Sequence, residues 1–112
     1  MKASLNGVPH FSIGDGWWAE GYTGDNGWVI EAQAPANDPE AQDHADATAI
    51  YDLLERELVP TFYNRDGGVP RAWLTFVRHA IATVGPRFSA RRMVKEYATN
   101  LYAPAMQERV GR

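Results

Sequence analysis

The sequence contains no cysteine and no long apolar run. Without cysteine, the chain has neither disulfide cross-links nor thiol chemistry, which is typical of proteins in a reducing compartment. No apolar run approaches the ~20 residues that span a bilayer, and no basic stretch followed by an apolar one stands at the N-terminus. We therefore expect a cytoplasmic protein without a membrane partner.

Positive charge is scarce in the first half of the chain. Residues 1–58 hold eleven acidic and two basic residues, whereas residues 59–112 hold three acidic and nine basic ones. The two halves are expected to attract each other, or the basic half faces a partner. The last two predicted helices carry a basic stripe that consists of Arg71, Arg78, Arg87, Arg91, Arg92 and Lys95. Because the chain as a whole carries a net charge of −3, this stripe does not favour a nucleic-acid partner, and we expect none.

Motifs for several kinds of site are also missing. The three histidines show no metal-ligand spacing, and the acidic residues fit no calcium loop. The sequence has neither a Gly-x-Ser-x-Gly nucleophile motif nor a glycine-rich phosphate loop. We therefore predict no metal site, and the remaining candidates are lysine, carboxylate and aromatic side chains.

The residues that are present predict one small α+β unit that is mainly helical. With 112 residues, 45% of them hydrophobic, the chain can bury one modest core. Met1 to Asn6 is typical of the last turn of a helix, with Gly7 in the left-handed position that follows it. Val8 to Ile13 alternates between two glycines and predicts a short strand.

Residues 14–37 are rich in turn signals and in tryptophan. Asn26-Gly27 is typical of a type I′ hairpin turn, and apolar residues flank it. We therefore predict that an aromatic loop or irregular hairpin, and not a helix, follows the short strand. A lone strand with one hairpin cannot bury both of its faces, so we expect that an element that should flank Val8–Ile13 is missing from this chain.

Three helices are predicted after this loop. The first runs from Asp43 to Leu58 and ends at Val59-Pro60, because apolar residues recur there at spacings of three and four. The second runs from Pro70 to Val84 and ends at Gly85-Pro86. The third runs from Ala90 to Tyr102, with Ser89 as its N-cap and Pro104 soon after its end.

These predictions divide the chain into four parts. They are an αβ unit with the aromatic loop at 1–33, a linker at 34–42, a three-helix segment at 43–104 and a frayed tail at 105–112.

Two motifs at the beginning resemble one family. Met-Lys-x-x-Leu-Asn-Gly at residues 1–7 and Asp-Gly-x-x-x-Glu at residues 15–20 are similar to motifs of the α-glucan (glycogen or maltodextrin) phosphorylases. The Trp-Trp pair at 17–18 resembles their shorter bacterial branch. The similarity continues through Val-Pro-Thr-Phe-Tyr at 59–63 and Arg-Phe-Ser at 87–89 to about Pro104.

The resemblance implies a function for Lys2. In this family the corresponding lysine carries pyridoxal phosphate as a Schiff base, and the cofactor phosphate assists inorganic phosphate in splitting the glycosidic bond. Lys2 is accordingly the expected catalytic and cofactor-binding residue. The implied reaction is that of a glycosyltransferase, the phosphorolysis of an α-1,4-glucan to glucose 1-phosphate, with the glucan and inorganic phosphate as partners.

The resemblance also implies that the chain is a fragment. The parent enzymes are several times longer, so we expect a C-terminal piece of the Rossmann-like domain of a two-domain, B-type glycosyltransferase fold. Its partner would be the missing N-terminal portion of the parent, and the piece alone is expected to be inactive.

Trp17, Trp18 and Glu20 are weaker candidates for substrate contacts. Aromatic faces suit the apolar faces of glucose rings, and Glu20 belongs to the Asp-Gly-x-x-x-Glu pattern, but two other interpretations stay open. The tryptophans pack against the helices or against a missing domain, and Glu20 is simply solvated. A non-catalytic module that binds glucan or another subunit through this loop is the alternative function.

Overall fold

A computed structural model describes residues 1–31 and 37–110 of the chain, and the side chains of the last helix as far as Gln107. The helices and strands lie in the following order: α1 (Lys2–Leu5), β1 (His10–Ile13), α2 (Gly16–Gly21), β2 (Gly27–Ile30), α3 (Pro39–Leu53), α4 (Val59–Tyr63), α5 (Arg71–Arg87), α6 (Ala90–Tyr97) and α7 (Ala103–Val110). The predicted α+β class with mainly helical content is confirmed. Among the described residues, no helix has the length and apolar character needed to cross a bilayer.

The two strands form a small parallel sheet, in which His10 pairs with Gly27 and Ile13 with Ile30. The predicted hairpin is therefore wrong. Parallel strands need a crossover of about a dozen residues, and residues 14–26 supply it. Neither Asn26 nor Gly27 has the positive φ that a type I′ turn requires.

Helix α2 occupies the crossover, where the prediction had excluded a helix. Asp15 lies at its N-cap position in an extended conformation, and Gly16 takes a positive φ of 47°. The helix is held by the burial of Trp18, which is 1% exposed. Tertiary packing therefore decides the conformation of a segment whose local signals favour turns.

Asn26 is buried, and its side chain stabilises the end of the crossover through hydrogen bonds. Its amide nitrogen donates to the carbonyl oxygen of Gly21 at 2.7 Å and to Thr83 Oγ1 on α5 at 2.9 Å. Its Oδ1 accepts from the backbone N–H of Thr23 at 3.0 Å. The bond to Thr83 fixes the end of the crossover against α5, and the other two hold the crossover to itself.

The three predicted helices are present, and all of them extend beyond their predicted C-terminal ends. The first begins at Pro39. Asp38 is its N-cap, and the Asp38 side chain accepts a hydrogen bond from the Ala41 N–H at 3.0 Å. The first helix passes through a π-helical turn at Leu54–Leu58 into α4. The third shows the predicted Ser89 N-cap, with Oγ accepting from Arg92 N–H at 3.2 Å.

Proline does not end these helices where the sequence had suggested. Pro60 and Pro104 each follow a π-helical turn, at Leu54–Leu58 and Ala98–Tyr102. A proline ring normally clashes with the carbonyl four residues earlier, and the wider π-helical turn makes room for it. Pro86 lies near the end of α5, which continues to Arg87.

Parts of three predicted segments lie outside the described residues, and for the αβ unit at 1–33 these are residues 32 and 33. For the linker at 34–42 these are residues 34–36, and residues 39–42 already belong to α3. For the tail at 105–112 they are residues 111 and 112, while residues 105–110 are helical.

The chain has an open, flat shape. Its radius of gyration is 19.6 Å, against about 13 Å for a compact chain of this length. Its extents are 64 × 46 × 17 Å. The core is small and lies between the sheet and α5, with the following buried apolar residues: Trp18, Trp28, Ile30, Ala80 and Val84.

Candidate functional site

Lys2 lies on α1 with its side chain exposed to solvent. The helix is held from its other side, because Ser4 is buried and α1 packs against α5. Asn6 Nδ2 donates to the carbonyl oxygen of Lys2 at 2.8 Å and so holds the last turn. The lysine amine therefore projects from a fixed backbone.

Gly7 is required by the way α1 meets α5. It has a φ of 77°, and a Cβ built on it would lie 2.9 Å from Val77 Cγ1. Both the left-handed conformation and the close approach favour glycine. Asn6 and Gly7 carry part of the family resemblance. Asn6 holds the last turn of α1, and Gly7 allows α1 to pack closely against α5.

Trp17 and Trp18 have different environments, although they are neighbours on α2. The Trp18 ring is buried, and its Nε1 donates to the carbonyl oxygen of Trp28 at 3.1 Å. Trp17 is half-buried and lies edge-on to Phe88, with ring centroids 5.4 Å apart. In this arrangement Trp17, not Trp18, has ring surface left for a ligand.

His10 on β1 lies against both tryptophans, with centroid distances of 4.7 Å to Trp17 and to Trp18. Burial lowers the pKa of His10 below its usual 6.5, and the nearby N-terminal ammonium lowers it further. The neutral imidazole is therefore the form that the folded protein favours.

This shift predicts a pH dependence of stability. Because the folded pKa is lowered, the stability contributed by neutral His10 is fully present above pH 6.5 and is lost as pH falls below it. We expect His10→Gln to flatten the decline of unfolding free energy below that pH, as measured by urea unfolding at a series of pH values. An NMR titration in which the His10 midpoint is 6.5 or higher would contradict the shift.

A cavity of about 390 Å³ lies at the carboxyl ends of the two strands. Open α/β sheets commonly bind ligands at this edge. Glu31, Gln42 and Asp46 supply its polar groups, with Gln42 Nε2 donating to Asp46 Oδ1 at 2.9 Å.

A second cavity, of about 430 Å³, adjoins α1 and brings α2 together with α6. Its lining includes Met1, Glu20, Arg87, Phe88, Ser89 and Arg92. The Arg87 guanidinium lies 5.7 Å from the centroid of the Phe88 ring. A carboxylate, guanidinium groups and an aromatic ring together suit a polyol or an anion.

Of the predicted site residues, Glu20 lines this cavity and Trp17 contacts its Phe88 wall. Sequence reasoning had placed Arg87 and Arg92 in a basic stripe without linking them to Glu20. No local sequence pattern links them, because almost seventy residues separate Glu20 from Arg87.

The described residues meet the needs of pyridoxal phosphate only in part. The exposed amine of Lys2 is accessible to an aldehyde. Among the described residues, however, no hydrogen bond or ion pair engages that amine, and the cavity beside α1 is lined by Met1 and not by Lys2. The chain by itself does not enclose the cofactor, so we derive no cofactor-dependent step from it.

Sequence comparison finds close relatives of known kind. Glycogen phosphorylase of Mycobacterium tuberculosis (strain ATCC 25618 / H37Rv) is 47% identical over 108 residues, which cover 96% of this chain and 12% of that protein. Glycogen phosphorylase of Aquifex aeolicus (strain VF5) is 46% identical over 109 residues, covering 96% and 15%. Maltodextrin phosphorylase of Thermococcus litoralis is 43% identical over 106 residues, covering 95% and 12%.

No family model matches the chain, and no solved structure matches it significantly. The relatives nevertheless agree with one another, because each of them is a glycogen or maltodextrin phosphorylase. The resemblance seen in the sequence is confirmed: the chain is similar over 95–96% of its length to glycogen and maltodextrin phosphorylases, and it spans 12–15% of the length of these relatives.

Proposed function

We propose that the chain is the part of an α-glucan phosphorylase that carries the cofactor lysine, Lys2. The observation that supports this most strongly is an identity of 43–47% to glycogen and maltodextrin phosphorylases over 95–96% of the chain. The complete reaction would be phosphorolysis of an α-1,4-glucan to glucose 1-phosphate, in the cytoplasm, with pyridoxal phosphate attached at Lys2.

The parallel unit β1–α2–β2 supports a place in a larger α/β sheet. A two-stranded parallel sheet is too small to be stable unless other elements cover it. Ile13 is exposed at its edge. We therefore assign the unit to the Rossmann-like C-terminal domain of a two-domain glycosyltransferase fold.

Glu20 and Trp17 are the proposed glucan contacts. Glu20 opens into the 430 Å³ cavity beside two guanidinium groups, and Trp17 extends the aromatic wall that Phe88 begins. Carboxylate and guanidinium groups hydrogen-bond sugar hydroxyls, while an aromatic face covers the apolar side of the ring. Trp18 supports this surface from the core.

The isolated chain is expected to release no glucose 1-phosphate from maltodextrin in the presence of phosphate and pyridoxal phosphate. Catalysis on two adjacent phosphates needs several fixed cations and a site closed to water. Lys2 is solvent-exposed here. Phosphorolysis by the purified 112-residue chain would contradict this expectation.

A segment exchange tests the proposed function directly. In the M. tuberculosis glycogen phosphorylase, the 108 matched residues are replaced by the corresponding residues of this chain. We expect the chimera to bind the cofactor and to release glucose 1-phosphate, whereas the same chimera with Lys2→Ala should do neither. Lys95, the only other lysine of the chain, provides the matched control, and Lys95→Ala should leave both properties unchanged.

The outcomes separate the proposed enzyme from the alternative binding module. A folded chimera that is inactive with Lys2 intact would overturn the enzymatic proposal. If maltooligosaccharide nevertheless quenches tryptophan fluorescence of the isolated chain, and Trp17→Ala abolishes the quenching, the chain is a glucan-binding module instead.

A further inference from the structure

The 430 Å³ cavity beside α1 holds charged groups of both signs that do not neutralise each other. Glu20 lines it from α2, while Arg87 lines it from the end of α5 and Arg92 from α6. Among the described residues, no ion pair joins Glu20 to either guanidinium group, and none engages Arg87. The carboxylate and the guanidinium groups are therefore available to a ligand.

The two guanidinium groups lie around one aromatic ring. Arg87 Cζ is 5.7 Å from the centroid of the Phe88 ring, and Arg92 Cζ is 6.0 Å from it. Arg92 also pairs with Glu96, with 3.0 Å between Nε and Oε1. Because a guanidinium group carries five N–H donors, this pair leaves donors for another acceptor. Two such groups at one ring suit an anion with several oxygens, such as a phosphate monoester.

The α2 side of the cavity offers different chemistry. The Glu20 side chain is exposed, and an ionised carboxylate only accepts hydrogen bonds. It therefore suits hydroxyl groups and repels an anion. Trp17, on the same helix, has its ring centroid 5.4 Å from that of Phe88. Aromatic side chains beside a few polar groups are typical of sites for small organic ligands.

Simpler ligands satisfy only part of this lining. A neutral sugar donates to the carboxylate but leaves the guanidinium groups without an anion. Inorganic phosphate engages the guanidinium groups but offers no sugar ring to the aromatic wall. A phosphorylated sugar does both, because its hydroxyl groups donate to the carboxylate and its phosphate oxygens accept from the guanidinium groups. The cavity volume lies within the range of about 300–1,000 Å³ that small-molecule sites have.

The cavity is separate from the lysine amine that the proposed function assigns to the cofactor. Its lining includes Met1 but not Lys2. A ligand held there by Glu20, Arg87 and Arg92 is therefore bound without being placed against that amine. The residues present support a binding site and not a second catalytic centre.

We propose that this cavity binds the phosphate monoester of a glucose unit, with Arg87 and Arg92 on the phosphate and Glu20 on the sugar hydroxyls. The sugar part rests on the proposed function, which assigns Glu20 and Trp17 to a glucan, whereas the phosphate part rests on the two guanidinium groups. The glucose unit belongs either to a free sugar phosphate or to a phosphorylated glucan chain.

Isothermal titration calorimetry of the purified chain tests this proposal with glucose 6-phosphate, glucose and inorganic phosphate. We expect glucose 6-phosphate to bind at least tenfold more tightly than either of the other two, because only it engages both parts of the lining. A maltotriose that carries a 6-phosphate group separates the two sources of the ligand. Tighter binding than glucose 6-phosphate would indicate a phosphorylated glucan, and equal binding a free sugar phosphate.

Variants assign the two parts of the ligand to their residues. Arg87→Gln and Arg92→Gln should each weaken glucose 6-phosphate by about tenfold or more and leave glucose unchanged. Glu20→Ala should weaken glucose 6-phosphate but not inorganic phosphate. The matched control is Arg91→Gln, because Arg91 is exposed on α6 and does not line the cavity. It should leave all three affinities as they are.

Two further measurements guard against a trivial loss of structure. Arg87→Lys keeps the charge but not the planar fork, so its affinity should lie between those of the wild type and Arg87→Gln. The chimera with Lys2→Ala, in which the remainder of the phosphorylase supports the fold, should show the same loss when Arg87→Gln is added.

Glucose 6-phosphate that binds no more tightly than inorganic phosphate or glucose would overturn the proposal. So would arginine variants that bind as the wild type does in both proteins. If maltotriose binds as tightly as its phosphate, the glucan contact stands and the phosphate site fails. If the chimera with Lys2 intact is inactive while glucose 6-phosphate binds as expected, only the enzymatic proposal fails.

Discussion

Gly27→Ala is expected to unfold the αβ unit. A Cβ at this position would overlap the carbonyl oxygen of His10 and lie 2.9 Å from two ring atoms of Trp18. His10 is the strand partner of Gly27, so its carbonyl cannot withdraw without opening the sheet. We expect a loss of about 3 kcal/mol or more in unfolding free energy, measured by urea unfolding followed through tryptophan fluorescence.

Gly16→Ala is the matched control for this change. Gly16 also precedes a tryptophan, but a Cβ built on it meets no atom within 4 Å. Its φ of 47° makes the substitution cost roughly 1–2 kcal/mol from backbone strain alone. If Gly27→Ala costs no more than Gly16→Ala, the close approach of the strands to Trp18 is not as described.

Trp18→Ala is expected to have the other large effect. The side chain is 1% exposed and lies within 5.4 Å, centroid to centroid, of the rings of His10, Trp17 and Tyr22. Truncating a buried tryptophan leaves a cavity and costs about 3–5 kcal/mol. The variant also loses the hydrogen bond to the Trp28 carbonyl. Near-UV circular dichroism and urea unfolding would measure the loss.

Trp17→Ala serves as its neighbour control, because that ring is only half-buried. It should cost clearly less stability than Trp18→Ala. Trp18→Phe should fall between the wild type and Trp18→Ala, since it keeps an aromatic ring but not the N–H donor. Equal losses for Trp17→Ala and Trp18→Ala would contradict the division between a core tryptophan and a surface one.

The helices after residue 39 could be predicted because their apolar residues recur at helical spacing. Their ends could not, because proline was read as a terminator. Pro60 and Pro104 are accommodated by preceding π-helical turns, and nothing in the local sequence announces such a turn. The capping residue Ser89 was predictable because its hydroxyl bonds a nearby backbone N–H.

The aromatic segment shows where local reasoning fails. Asn26-Gly27 has the composition of a hairpin turn, but the Asn26 side chain is buried and bonds Thr83, 57 positions further along the chain. A partner so distant cannot be read from a local pattern. Helix α2 was missed for the same reason, since the burial of Trp18 and not its helix propensity holds it.

The candidate site was predictable only through the family resemblance. Neither the composition nor the residue spacing indicates a functional role for Lys2, and its solvent exposure in the structure does not indicate one either. The cavity that joins Glu20 to Arg87 and Arg92 depends on how α2 meets the start of α6. This contact between α2 and α6 is tertiary, and the local sequence of neither helix indicates it.

The 17 Å thickness of the molecule has an electrostatic consequence. A helix with its side chains is about 10–12 Å across, so high-dielectric solvent lies close to both faces of the slab. Water near a charge weakens its interaction with other charges several-fold relative to a dry interior. Any reaction on this chain that relies on strong fields must therefore take place where a second macromolecular surface has displaced the solvent.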